Sequence, residues 1–259
     1  MLTRRHLLHT SLFTGCAVCT ALATSRLSTA EATEVVAPSK IGGPGYELSF
    51  VGSQRQTIMT GDRTAHLDLR TLKGRPHLYG IGPIEGLTGE VTIADSRPSL
   101  ARVGGDHLVH VTESYEAGVP FFVWAEVSTW QNQELPKEVQ TYAELEKFVG
   151  EAGARAGLTQ AFPFVVTGRP ELIDFHIVNA TPDTPPGKED HQKIQIPFEL
   201  HGQDVTFVGF WSSQHQGVFT PMGTSMHAHF QTLDNKVSGH VQGLKLAKGM
   251  KLSLPKGDE

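Results

Sequence analysis

The chain has 259 residues, of which 39% are hydrophobic and 19% are charged, and its formal net charge is −5. This length is enough for one large domain or two small ones with a buried core. A mildly acidic chain without a basic patch argues against nucleic-acid binding. The 27 glycines and 15 prolines favour short elements and a β-rich fold.

The first 32 residues have the pattern of an export signal. Arg4 and Arg5 precede a weakly apolar run, and Ala30 and Ala32 fit a small-residue cleavage site. The paired arginines resemble those of a twin-arginine signal. Polar residues interrupt the apolar run, so we expect no membrane span. Residues 1–32 are therefore predicted to be a twin-arginine-type signal peptide, and the protein is predicted to be exported to the periplasm or secreted.

Both cysteines of the chain, Cys16 and Cys19, lie inside this segment. A chain cleaved after Ala32 has no cysteine, so disulfides and thiolate metal sites are not expected in the mature protein. The letters FTGC also fit a loose lipoprotein box, and lipid anchoring at Cys16 is therefore an alternative to simple cleavage.

The rest of the chain is predicted to be a linker followed by a single domain. Residues 33–46 have the glycine and proline content of a linker, and the domain covers 47–259. Within it, 47–135 alternate apolar and polar positions, which predicts an N-terminal sheet. A T-x-x-E capping box and helical apolar spacing predict a helix over 141–157. Short strand-like segments over 160–255 predict a C-terminal β-barrel-like unit that carries the metal site. The fold class is therefore α+β and β-rich, with a mixed or antiparallel sheet.

Three histidines in the segment MHAHFQTLDNKVSGHV are predicted to converge on one spot. His227 and His229 are two residues apart, so on a strand their side chains point to the same face. Asp234 and Asn235 are predicted to form a two-residue hairpin turn, because Asp and Asn tolerate the positive φ angles that such a turn requires. A turn centred there pairs His229 with His240, and directly opposed residues share a face with Cβ atoms about 5 Å apart.

Three neutral imidazoles with an open fourth position are the usual composition of a catalytic zinc site. Imidazole also binds iron, copper, nickel and manganese, so the ligand type leaves the divalent metal open. The alternative is that these are ordinary histidines of a sheet, which bind no metal and form hydrogen bonds with the backbone. An H-x-H pair is also the first part of the metal-binding motif of cupin oxygenases. That motif needs a glutamate a few residues later, and the chain offers only Asp234 there.

Several segments resemble the α-acetolactate decarboxylase family. MHAHF, followed by SGHV and preceded by GFWSS, looks like the metal motif of that family. YGIGPIEGLTGEVTI resembles the family's glycine-rich turn and L-x-G-E strand, with Glu90 as the acidic residue. FPFVVTG and LSLP follow the family's order of elements. The resemblance covers roughly residues 50–255.

The resemblance implies an α+β fold with two β-rich parts, usually a homodimer, and zinc held by His227, His229 and His240. The implied activity is the decarboxylation of 2-acetolactate, or of a related 2-hydroxy-3-keto acid, to acetoin and carbon dioxide. Glu90 is the expected catalytic carboxylate, because a positioned acid or base must move the proton of the hydroxyl or of the product carbon. The expected partner is therefore a small hydroxy-keto acid.

The chain departs from the family pattern at three places. Alignment on Gly168 places His176 where the family carries an arginine that reaches the substrate, and Arg169 lies too early in the strand. A histidine can donate a proton but cannot clamp a carboxylate bidentately. His176 is therefore predicted to be a substitute acid or a fourth metal ligand, with a buried structural histidine as the alternative. Pro83 replaces a common hydroxyl residue, and Glu259 is the candidate for a glutamate of the family's longer tail.

These departures leave a second function open. An exported metal-binding protein on a decarboxylase scaffold, without the activity, would keep the three histidines and tolerate a changed set of catalytic residues around them. The two functions differ in whether the fourth metal position is open to a small hydroxy ketone or closed by His176 or Glu90.

Overall fold

The described part of the chain consists of antiparallel sheets and three α-helices. A computed structural model describes residues 37–257. Its strands are β1 (Ser39–Gly43), β2 (Tyr46–Val51), β3 (Leu67–Asp68), β4 (Leu78–Pro83), β5 (Glu90–Ala94), β6 (Arg97–Val103), β7 (Val109–Thr112), β8 (Gly118–Val119), β9 (Phe122–Glu126), β10 (Trp130–Glu134), β11 (Phe162–Gly168), β12 (Leu172–Val178), β13 (Gln195–His201), β14 (Val205–Trp211), β15 (Met226–Thr232), β16 (Ser238–Lys245) and β17 (Lys251–Pro255). The helices are α1 (Gln54–Thr60), α2 (Tyr142–Arg155) and α3 (Lys188–Lys193).

The strands form one seven-stranded sheet and one eight-stranded sheet, and a third pair joins β3 to β8. The seven-stranded sheet has the order β1-β2-β9-β4-β5-β6-β7, and the eight-stranded sheet has the order β10-β17-β11-β14-β15-β16-β12-β13. Within residues 37–257, β10 and β13 are the outer strands of the larger sheet and do not pair with each other. The β-rich α+β fold class is therefore confirmed, and the C-terminal unit is an open sheet without barrel closure.

Two predicted boundaries are wrong. The segment predicted as the linker 33–46 contains β1, which pairs with β2 through a tight turn at Pro44 and Gly45, where the φ of Gly45 is +76°. Glycine and proline form a hairpin there, because glycine adopts positive φ without steric cost. The predicted N-terminal sheet over 47–135 includes β10, which instead pairs with β17 of the other sheet. Local alternation does not show which distant strand a segment joins.

Helix α2 is the helix that the capping box predicts. The side chain of Thr141 accepts a hydrogen bond from the Glu144 N–H at 3.3 Å, and Glu144 Oε2 accepts from the Thr141 N–H at 3.0 Å. Gly157, with a φ of +75°, follows the end of the helix. The helix buries Leu145 and Val149 on the face that packs toward β14 and β16. The apolar spacing therefore marks a core face, as expected.

The two large sheets share one hydrophobic core, which brings β5 and β6 against β15 and β16. Phe164 illustrates how tight this core is, because a Cβ added at Gly209 would lie 2.1 Å from its ring. Polar side chains also join the sheets. Ser99 Oγ donates to Gln231 Oε1 at 3.1 Å, and Ser238 Oγ donates to Thr92 Oγ1 at 2.9 Å. This packing places side chains of the two sheets within reach of each other.

The predictions for residues 1–32, including Cys16, and for Glu259 lie outside the described residues. Between residues 37 and 257, no helix is both long enough and apolar enough to cross a membrane.

Candidate metal centre

The β15–β16 hairpin holds the three histidines. Strand β15 is buried along its whole length, and His229 pairs with His240 across the hairpin in the predicted register. The connection is longer than a two-residue turn, because the Thr232 N–H donates to the Val237 carbonyl at 2.9 Å around a four-residue loop. Asn235, with a φ of +57°, provides the left-handed residue of that loop. The hairpin keeps the predicted centre, and therefore the predicted register.

One ring nitrogen from each of the three histidines lies within 4.8 Å of the other two. Nε2 of His227 is 3.2 Å from Nε2 of His229 and 3.1 Å from Nδ1 of His240. Nitrogen ligands about 2.0–2.1 Å from a tetrahedral zinc ion lie roughly 3.3 Å apart, so the spacing suits one such ion. The donor set is therefore consistent with a three-imidazole metal site.

Backbone contacts fix the orientation of two of these rings. Nδ1 of His227 is 2.6 Å from the Phe219 carbonyl, so Nδ1–H donates to that oxygen and leaves the Nε2 lone pair facing the cluster. His229 has a hydrogen bond to the backbone of Val91, and the Thr92 hydroxyl lies 3.3 Å from its Nδ1. Hydrogen bonds of this kind are the usual support for metal-binding imidazoles.

Burial keeps all three imidazoles neutral. It lowers the pKa of His227 to about 4, and it lowers the pKa of His229 and of His240 well below the usual histidine value. The side chain of His229 is 0% exposed. Because metals bind the neutral imidazole, protons compete weakly for this site near neutral pH.

Glu90 comes from the other sheet and meets the cluster from β5. Its Oε2 is 3.8 Å from Nε2 of His229, and its Oε1 is 3.8 Å from Nε2 of His176. Oε1 also accepts a hydrogen bond from the Val178 N–H at 3.3 Å. The residue is only 2% exposed, and this burial raises the pKa of its carboxyl well above the usual value.

His176 lies beside the three histidines that converge but is not one of them. It pairs with His240 across β12 and β16, and the two ring centroids are 4.4 Å apart. Its Nδ1 is buried and has no hydrogen-bond partner among residues 37–257. Burial lowers the pKa of His176 to about 3. The group of converging ring nitrogens therefore does not include His176, which lies beside Glu90 and His240.

A cavity of about 220 Å³ opens onto this centre and is lined by Glu90, His176, His227 and His240. Its outer wall comes from helices α1 and α3. No sequence pattern predicted a functional role for either segment. Ser53, which caps α1 by accepting from the Gln56 N–H, and Gly61 after its end are signals that could have found that helix. Pro83 also lines the cavity. Arg169 instead forms an exposed ion pair with Asp204.

The family model for alpha-acetolactate decarboxylase matches residues 50–258. A Staphylococcus aureus protein of unknown function similar to alpha-acetolactate decarboxylase has 15% identity and a TM-score of 0.66, covering 80% of this chain and 84% of that one. Alpha-acetolactate decarboxylase from Bacillus subtilis strain 168 has 16% identity and a TM-score of 0.62, with the same coverage. The enzyme from Bacillus subtilis subspecies spizizenii has 16% identity and a TM-score of 0.63, covering 81% and 85%.

These structural likenesses, at such low identity, establish the fold alone. The curated proteins include no match to the chain. The family model covers most of the chain, and its match includes the β15–β16 hairpin and Glu90. The chain therefore belongs to the alpha-acetolactate decarboxylase family.

Proposed function

We propose that the protein is a metal-dependent carboxy-lyase that converts 2-acetolactate, or a related 2-hydroxy-3-keto acid, to acetoin and carbon dioxide. The observation that carries this proposal is the convergence of three neutral imidazoles beside a buried carboxylate, at a cavity that His227, His240 and Glu90 line. Family membership supports the reaction class. A cavity of about 220 Å³ suits a small organic acid.

We assign the metal to His227, His229 and His240, and zinc is the metal that best suits three imidazoles with an open position. When bound, a zinc ion would act as a Lewis acid that stabilises the negative charge developing on the substrate's ketone oxygen as carbon dioxide leaves. The protein's own part is to hold the three rings neutral and correctly oriented, through burial and the backbone contacts to Phe219 and Val91.

We assign the proton transfer to Glu90. Breaking the bond to carbon dioxide leaves an electron pair on the former α-carbon and its neighbouring carbonyl, and a proton must reach that carbon to give acetoin. Glu90 lies 3.8 Å from His229 and lines the cavity, so its carboxyl faces the volume that a substrate at the three histidines would fill. We assign it as the proton donor, with the proton replaced from solvent after the step.

We assign His176 a supporting part as a neutral hydrogen-bonding group beside Glu90, because a ring with a pKa of about 3 carries no extra proton to donate as an acid near neutral pH. Its Nε2 is 3.8 Å from Glu90 Oε1, and its unpartnered Nδ1 is available for a hydrogen bond to a bound ligand. A buried polar atom without a partner is costly, so an incoming oxygen atom of the substrate would relieve that cost.

Acetoin formation from racemic 2-acetolactate by the zinc-loaded protein tests the proposal. Turnover that His229→Ala abolishes supports it. His110→Ala is the matched control, because His110 is exposed and its partner within the described part of the chain is Asp106. A wild-type protein that retains stoichiometric zinc but forms no acetoin would refute the activity and favour the metal-binding protein without decarboxylase activity.

A further inference from the structure

Two cationic side chains line the outer wall of the cavity. Arg55 on α1 and Lys188 on α3 both line it. Within the described residues, neither side chain makes an ion pair or a hydrogen bond with the protein, whereas Lys193 on the same short helix pairs with Asp190 at 2.8 Å. Unpaired cations at the mouth of a cavity attract anionic ligands.

The backbone of Arg55 is fixed relative to the metal centre. The N–H groups of Gln54 and Arg55 donate to the carbonyls of Val218 and Gly217 at 2.8 and 2.7 Å. The next carbonyl along the same segment, that of Phe219, orients the His227 ring. A Cβ added at Gly217 would lie 3.3 Å from the Cβ of Arg55, so the two segments are in close contact. One short segment therefore positions both the cation and a metal-binding ring.

Lys188 is tied to the same wall through α1. The Gly187 N–H, immediately before α3, donates to the Ile58 carbonyl at 2.7 Å. His191 on α3 also lines the cavity and has a buried Nδ1 without a partner. The α1–α3 wall thus carries Arg55, Lys188 and His191 beside the apolar Ile58 and Met59, and short helices with few buried residues form it.

We propose that Arg55 and Lys188 bind the carboxylate of the substrate, so that the anion is recognised by the α1–α3 wall while the hydroxyl and ketone oxygens face the three histidines. This inference rests on the proposed function, because it assumes a hydroxy-keto acid as the substrate. A guanidinium can bind a carboxylate with two parallel hydrogen bonds, and an ammonium adds a point charge. Glu90 is the acidic side chain of the cavity lining, and it is buried at the inner end.

The assignment has a kinetic consequence. The negative charge of the carboxylate moves into the rest of the substrate as neutral carbon dioxide leaves, so the two cations stabilise the bound substrate more than the transition state. Loss of such an interaction raises KM and leaves kcat unchanged or slightly higher. We therefore expect Arg55→Gln to raise KM about tenfold while kcat changes less than threefold, from the usual strength of hydrogen bonds to charged groups.

Binding of an unreactive analogue tests the inference directly. 2,3-Dihydroxy-2-methylbutanoate is 2-acetolactate with its ketone reduced, so it keeps the carboxylate and both oxygens but cannot decarboxylate. Butane-2,3-diol keeps the two oxygens and lacks the carboxylate. Calorimetric titration of both into the zinc-loaded protein should show at least tenfold weaker binding of the acid to Arg55→Gln and to Lys188→Gln. Affinity for the diol should not change.

Charge-matched controls separate this effect from general electrostatics. Lys193→Gln removes the same charge from α3, and Arg75→Gln removes an exposed arginine that pairs with Glu126 elsewhere. Both should bind the acid like the wild type, and Arg55→Lys should recover part of the affinity. Unchanged binding of the acid to Arg55→Gln and Lys188→Gln would overturn the inference and leave the proposed function standing. A wild-type protein that binds zinc but not the acid would overturn both.

Discussion

Zinc is expected to raise the unfolding temperature of the wild-type protein, and His229→Ala is expected to abolish that increase. A ligand that binds only the folded state at 100 times its dissociation constant stabilises it by about 2.7 kcal/mol. For a domain of this size, 1 kcal/mol corresponds to about 2–4 °C, so the expected shift is roughly 5–10 °C. His229 contributes one of three ring nitrogens, and its loss leaves only His227 and His240, whose nitrogens are 3.1 Å apart.

The assay is differential scanning calorimetry of the chelated and the zinc-loaded protein, with bound zinc measured in parallel. Because His229 is fully buried, the substitution also lowers the stability of the metal-free protein, by about 1–3 kcal/mol. The shift on adding zinc is therefore the quantity to compare, and His110→Ala should retain it. A His229→Ala protein with the wild-type shift and stoichiometric zinc would refute the three-histidine site.

Three further predictions concern the proton donor, the core and the apoprotein. Glu90→Gln should keep zinc but lose at least about 100-fold in acetoin formation, and wild-type turnover in this variant would contradict the assigned role. Gly209→Ala should lose about 1–3 kcal/mol in urea unfolding, because its Cβ would meet the Phe164 ring, whereas Gly105→Ala, with no atom within 4 Å, should not. In the metal-free protein, burial lowers the pKa of His227 from 6.5 to about 4, so the unfolded state takes up its proton first as pH falls. Stability should therefore be full above pH 6.5, and His227 alone should contribute a loss of about 2 kcal/mol between pH 7 and pH 5. The buried His176, His229 and His240 add losses of the same sign, so His227→Ala should lose less stability than the wild type over this range, and an equally steep loss would contradict this cause.

The hairpin that holds the three histidines could be predicted because its geometry is local. The two-residue repeat of a strand puts His227 and His229 on one face, and the centre of the turn sets the partner of His229. The loop proved longer than two residues, but a longer loop with the same centre keeps the same pairs. Helix α2 was equally predictable, because its capping box and apolar spacing lie within one short segment.

The cavity wall could not be predicted in the same way. Helices α1 and α3 are only seven and six residues long, and their sequences carry no strong apolar repeat. Arg55 and Lys188 face the same cavity because backbone hydrogen bonds join α1 to Gly217 and Val218, and join the start of α3 to α1. No spacing within the sequence shows such contacts between distant segments.

The sequence by itself thus determined which side chains share a strand face and which residues can bind a metal. The tertiary structure decided which other groups meet them. Glu90 reaches His229 because the two sheets pack face to face, and His176 lies beside His240 because β12 pairs with β16. Strand β10 likewise joins the larger sheet because it pairs with the distant strand β17. These pairings depend on the free energy of packing the whole core, which a local pattern of residues does not encode.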